Sequence, residues 1–137
     1  MTQKPFQLIN PPGLFDPAPY AYSHVARLEP GARMVYLAGQ GGQDVEGKLA
    51  SDFAAQLRQA LENLRIALTA AGASISDVVK LTVLIVDHTE SKLPVLISEV
   101  GAVWGTLMTP TCMLIPVPRL ALDAMLVEVE AVAAVAV

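Results

Sequence analysis

Two strand-like runs late in the chain carry the side chains best suited to chemistry. In Met125-Leu126-Val127-Glu128-Val129-Glu130-Ala131-Val132-Ala133 apolar and acidic residues alternate. This spacing puts Glu128 and Glu130 on one face of a strand, while Leu126 and its β-branched neighbours take the other face or the strand ends. A carboxylate on a mostly apolar strand is costly to bury unless water or a polar partner reaches it. Beside a water molecule it can accept and return a proton, the role of a general base; on an exposed strand face it needs no role at all. Upstream, Thr109-Pro110-Thr111-Cys112-Met113-Leu114 contains the single cysteine of the chain. A catalytic thiol needs a nearby imidazolium, lysine or helix N-terminus to lower its pKa, and the sequence places none beside Cys112. Cys112 therefore reads first as a buried structural thiol, next as an unreactive group lining a pocket, and last as a nucleophile.

The remaining candidates are weaker. Arg119 is flanked by Pro116 and Pro118 in a turn and reads as solvated or subunit-bridging rather than as a charge swung into a pocket. His24 and His88 fall at a strand start and a strand end, where imidazole is usually a surface or hydrogen-bonding group. Trp104 reads as core or interface. Gly39-Gln40-Gly41-Gly42 has the glycines of a phosphate-cradling loop but neither its lysine nor its strand-to-helix spacing.

The elements that must position these residues follow from periodicity. Phe6-Gln7-Leu8-Ile9 reads as a short edge strand. Asn10-Pro11-Pro12-Gly13 and Asp16-Pro17-Ala18-Pro19 cannot propagate a helix, because each proline removes a donor and restricts its predecessor. The segment 23–29 alternates, turns at Pro30-Gly31 and returns through Met34-Val35-Tyr36-Leu37-Ala38, the pattern of a β-hairpin. Phe53, Leu57, Leu61, Leu64, Ile66 and Leu68 predict a helix capped by Ser51 or Asp52 and ended by Gly72. The run 78–86 is nearly all β-branched or aliphatic, as in a central strand covered on both faces. A second helix spans about Ser91 to Trp104, with Pro94 in its first turn and Gly105 stopping it. Two strands follow. The order βββαβαββ predicts an α+β fold, two layers with a mixed six-stranded sheet and two helices on one face, in a single domain over 1–137.

Composition narrows the partners. Of 137 residues, 53% are hydrophobic and only 16% charged, so apolar surface is expected to be hidden against sister subunits as well as in the core. Charged residues interrupt every apolar run before the about 18 to 20 residues needed to cross a bilayer, so no membrane role is expected. Met1-Thr2-Gln3-Lys4-Pro5 lacks the basic and apolar regions of a secretory leader, which makes the cytoplasm the expected location. One cysteine and two histidines offer no metal cluster, and no cofactor is implied. A net charge of −4 without a basic stripe argues against nucleic acid.

Both late strands, together with Ala38-Gly39-Gln40 and Gln59-Ala60-Leu61-Glu62-Asn63-Leu64, resemble the Rid family of reactive-intermediate deaminases, also called YjgF-like or L-PSP endoribonuclease-like proteins. The likeness extends over nearly the whole chain. It implies the chorismate-mutase-like fold and a homotrimer with small-molecule pockets between subunits. In family members that hydrolyse imines and enamines, an arginine grips the substrate carboxylate and a glutamate on the last strand positions water. Counted from Arg119-Leu120 and Glu128-Val129-Glu130, the glutamate falls on Glu128 and the arginine on Cys112. A thiol is a weak neutral donor and cannot replace a two-pronged cation. Tyr22-Ser23 matches the family's Tyr-Ser pair and Gly39-Gln40 its Gly-Gln. Ala38 stands where a serine is usual, and the family's second-helix asparagine falls on Val95 or near Ser98. The resemblance thus implies a pocket formed by Tyr22, Gly39, Gln40, Cys112 and Glu128, with activity on ordinary 2-imino acids impaired. A binding or regulatory module without turnover is the alternative.

Overall fold

The structure is a computed structural model and describes residues 3–137; Met1 and Thr2, part of the segment examined for a leader, lie outside the described residues. Its elements are β1 (Phe6–Ile9), β2 (Val25–Leu28), β3 (Arg33–Tyr36), β4 (Gln40–Gly41), α1 (Phe53–Ala70), β5 (Val78–Val86), α2 (Leu93–Trp104), β6 (Thr111–Val117) and β7 (Val127–Val135). Single 3-10 turns at Ala18–Tyr20, Ile75–Asp77 and Glu90–Lys92 join them. The expected α+β architecture, with helices packed on a mixed sheet, is the one observed. β3-β7-β5-β6 run side by side, β4 adds to β7, and only the β5–β6 pair is parallel.

Helix α1 begins where its cap requires. The Asp52 carboxylate accepts a hydrogen bond from the Ala55 amide at 3.0 Å, satisfying one of the orphan donors of the first turn. Leu57, Leu61, Leu64 and Leu68 recur at helical spacing and are 1% exposed or less. They pack with Leu81, Val83 and Ile85 of β5 and Val127, Val129, Ala131 and Ala133 of β7 in one core. Ile66, expected on the same stripe, is 53% exposed. Two residues along a helix is a rotation of about 200°, so Ile66 cannot share the face of Leu64 and Leu68. Pro94 lies in the first turn of α2, and Gly105, at φ +60°, ends it.

Two strand assignments differ from the sequence reading. The turn at Pro30-Gly31 forms, with Ala32 N–H donating to the Glu29 carbonyl, but it does not close a hairpin. β2 pairs with β1 in a separate two-stranded sheet, and β3 pairs with the far end of β7, Arg33 opposite Val135. Val35 packs against the core, whereas Val25, Arg27 and Leu28 stay exposed. Core burial thus draws β3 into the main sheet and leaves β2 outside it, giving five strands in that sheet instead of six. The second difference concerns β5. It is central, between β7 and β6, but only its Leu81, Val83, Ile85 face is covered. Lys80 is exposed and Thr82, Leu84 and Val86 are half-buried, because no layer of this chain lies over them.

Candidate functional site

The face on which each candidate residue lies follows from the pairing register. Cys112 and Leu114 sit opposite Leu81 and Val83, so they share the helix-covered face. Glu128 and Glu130 sit opposite Leu84 and Thr82, on the open face. The two residues singled out by sequence as thiol and base therefore look in opposite directions from one sheet.

Cys112 lines a cavity of about 310 Å³ bounded by Phe15, Tyr20, Tyr22, Leu93, Leu96, Ile97, Val100 and Leu114. The cavity exists because the loop before β2 is pinned against β6. Ser23, 3% exposed, donates from its hydroxyl to the Thr109 carbonyl at 2.6 Å and from its amide to the Pro110 carbonyl at 3.0 Å. This holds Tyr22 beside Cys112. The Thr111 hydroxyl donates to the Val79 carbonyl at 2.6 Å and fixes the start of β6. Phe15 meets Tyr20 and Tyr22 edge to face, with centroids 6.0 and 6.3 Å apart. Helix α2 presents Leu93, Leu96, Ile97 and Val100 at spacings of three and four, so its cavity face is wholly apolar. Burial pushes the Cys112 thiol up to about 11, since the apolar surroundings disfavour a thiolate. At neutral pH it is an uncharged, poorly nucleophilic group.

Glu128 belongs to the other side. With Glu130, Thr82, Leu84, Ile115 and Gly39 it lines a hollow of about 300 Å³ on the open sheet face. It also borders a wider cleft shared with Gly39, Gln40, Gln43, Gln59 and Asn63. The Glu128 side chain lies over Gly39, where a β-carbon would collide with its carboxylate. Among the described residues the Glu128 carboxylate makes no hydrogen bond or ion pair within the chain. Asn63 donates to the carbonyls of Gly41 and Gln43 at 3.0 and 2.8 Å, tying β4 to α1. Gly42 is needed for a different reason: a β-carbon there would stand 2.6 Å from the Gln56 carbonyl oxygen. The Gly-Gln-Gly-Gly run thus serves close packing.

Arg119 pairs with Asp123 on an exposed turn and lines none of these cavities. Val95 and Ser98 also lie outside the Cys112 cavity, so neither choice for the second-helix position reaches it. The His24 ring is within 2.8 Å of the Phe15 carbonyl and edge to face with Tyr22, consistent with its reading as a hydrogen-bonding group. Trp104 is core, 3% exposed. No group of three or more His, Cys, Asp or Glu capable of holding a metal occurs among the described residues. Among the described residues no helix is long and apolar enough to cross a membrane.

Sequence reasoning missed the apolar wall of the cavity. Its signal was present in the three-to-four spacing of Leu93, Leu96, Ile97 and Val100, which reads equally well as ordinary core. It also missed Gln56, which is fully buried and bridges three backbone groups. Its side-chain amide donates to the Ala50 and Ala124 carbonyls and accepts from the Leu126 amide at 2.7 to 2.9 Å, holding the chain that enters β7.

A sequence profile described as Endoribonuclease L-PSP matches residues 16–135. Among solved structures, the chain resembles YyfB of Yersinia pestis, described as a conserved Rid family protein of unknown function, at 32% identity and a TM-score of 0.90. That match covers 94% of this chain and 98% of the other. It resembles a member of the YjgF/YER057c/UK114 family from Mycobacterium tuberculosis at 28% identity and a TM-score of 0.64, covering 95% and 99% of the two chains. Escherichia coli TdcF, solved with bound serine, is 32% identical over 77% of this chain and 83% of its own, with a TM-score of 0.65. No curated protein matches.

Proposed function

This chain belongs to the Endoribonuclease L-PSP family of Rid and YjgF proteins, and on that premise we propose that it works as a homotrimer with a small-metabolite pocket between subunits. The pocket combines the Tyr22 and Cys112 side of one subunit with the Gly39, Gln40 and Glu128 side of the next. Its reaction class is hydrolysis of an imine, enamine or related labile C–N compound, with Glu128 orienting the attacking water. Cys112 in place of the family's arginine removes the carboxylate clamp and argues against ordinary 2-imino acids as substrates.

The observation that carries this reading is the split between faces. Cys112 and Tyr22 share one cavity, Glu128 and Gly39 another, and a β-sheet separates them within the chain. Only a second copy can bring both sets to one ligand. The open face supplies the surface for it, exposing Tyr36, Met113 and Ile115 around two carboxylates. Burying such a face in a closed three-fold assembly removes apolar area from water. Glu128 and Glu130 both line this hollow, and of the two it is Glu128 whose carboxylate lies against Gly39, which suits it to hold and deprotonate water there.

Two measurements test the reading. Sedimentation of the purified protein is expected to give three times the chain mass. Breakdown of 2-iminopropionate is expected to be slow in the native protein and to rise at least tenfold in Cys112→Arg, with Glu128→Gln in that background abolishing the gain. Efficient native turnover would show that no clamp is needed. A gain in binding without turnover in Cys112→Arg would favour the ligand-binding module, the reading supported by the lack of any carboxylate, imidazole or amine among the described residues lining the cavity beside Cys112.

A further inference from the structure

We propose that the cavity beside Cys112 selects an uncharged small molecule with a fused aromatic ring system and rejects its carboxylate analogues. The inference rests on the reading of this cavity as the ligand side of the pocket, and it concerns only what that cavity accepts.

Size gives the first constraint. An apolar cavity of about 150 Å³ is enough for a benzene ring, so the space of about 310 Å³ suits a two-ring ligand. Shape gives the second. Phe15 stands edge to face with both Tyr20 and Tyr22, at interplanar angles of 85° and 69°. A flat ring entering between these side chains and the Leu96, Ile97 wall of α2 extends the same preferred geometry. Phe15 and Tyr20 are 61% and 55% exposed, so they stand at the mouth with apolar area still to cover.

Charge gives the third and decides the class. Among the described residues no Lys, Arg, His, Asp or Glu lines the cavity, and the Cys112 thiol stays protonated at neutral pH. A carboxylate entering would lose its hydration and gain no cation, which is unfavourable. Polar capacity is nonetheless present. Tyr20 and Tyr22 line the cavity, and neither hydroxyl is engaged in a hydrogen bond within the chain among the described residues. Each can donate to, or accept from, a neutral amide, carbonyl or ring N–H. The ligand is therefore apolar in its body, neutral, and polar at one or two atoms.

The test is a matched pair of probes, indole-3-carboxamide and indole-3-carboxylate, titrated into the full-length protein by calorimetry at pH 7.5. The carboxamide is expected to bind at least tenfold tighter. In Cys112→Arg the order is expected to reverse, and Ile97→Trp, which fills the cavity from the helix side, is expected to weaken the carboxamide at least tenfold. Thermal melts of both variants establish that they are folded, and Ile97→Phe serves as a milder filling variant if Ile97→Trp is not. Equal affinity for the two probes, preference for the carboxylate, no binding of the carboxamide, or unchanged affinity in a folded filling variant would each overturn the inference. Failure of the trimer or hydrolysis reading shows separately, in sedimentation and in 2-iminopropionate turnover, and leaves the ratio between the probes untouched.

Discussion

The two faces of the central sheet obey different rules. On the helix side Leu81, Val83, Ile85, Val127 and Val129 are 1% exposed or less and meet the α1 leucines in a dry layer. On the other side the same strands present Lys80, Thr82, Leu84, Glu128 and Glu130 beside Met113 and Ile115, and Met113 is 60% exposed. One face is finished within the chain, and the other is left uncovered by it. Alternation along each strand produces both at once, so a one-residue slip of register would exchange them and bury two carboxylates.

Core truncation should separate the faces most sharply. Leu61→Ala on the finished face is expected to cost about 2 to 5 kcal/mol, because the cavity it leaves cannot fully collapse. Ile115→Ala, at a position 37% exposed, should cost about 1 kcal/mol or less within the chain yet shift the proposed trimer toward smaller species. Urea melts below and above the concentration of assembly compare the two; equal costs at low concentration would break the distinction.

The next effect concerns the thiol on the finished face. With Cys112 raised to about 11 from an ordinary 9.0, its thiolate fraction at pH 8 falls by about 100-fold. Alkylation by iodoacetamide at pH 8 should be slower by at least that factor in the folded protein than in urea, and should accelerate about tenfold per pH unit toward pH 11. Rapid labelling of the folded protein would place the sulfur in water rather than against α2.

A smaller effect distinguishes two glycines of one short run. Gly42→Ala drives a β-carbon into the Gln56 backbone and should cost about 1 to 3 kcal/mol. Gly39→Ala meets only the end of the flexible Glu128 side chain, so its stability should change by less than about 1 kcal/mol while the carboxylate moves away. Thermal melts read the first, and the carboxyl chemical shift of Glu128 reads the second. Similar losses at both positions would mean that Glu128 is held as rigidly as backbone.

Much of this was legible in the residues. The α1 leucines, the Asp52 cap and the Gly72 stop carry local signals, and a helix needs little more than those and one apolar face. Alternation in β7 placed Glu128 and Glu130 together. The destination of β3 was not legible, because a tight turn and two alternating runs specify a hairpin equally well whether or not burial later pulls the second run elsewhere. Nor was Gln56, whose three backbone partners come from segments as far as Leu126 and look in sequence like any polar helix position.

The chain by itself determined which types of side chain are available: one thiol, an alternating pair of carboxylates, and no cation between Lys92 and Arg119. Tertiary structure alone decided that Cys112 and Glu128 face opposite ways. Side-chain direction along a strand is set locally, but which direction becomes the interior depends on where the helices pack, and that is a property of the whole sheet.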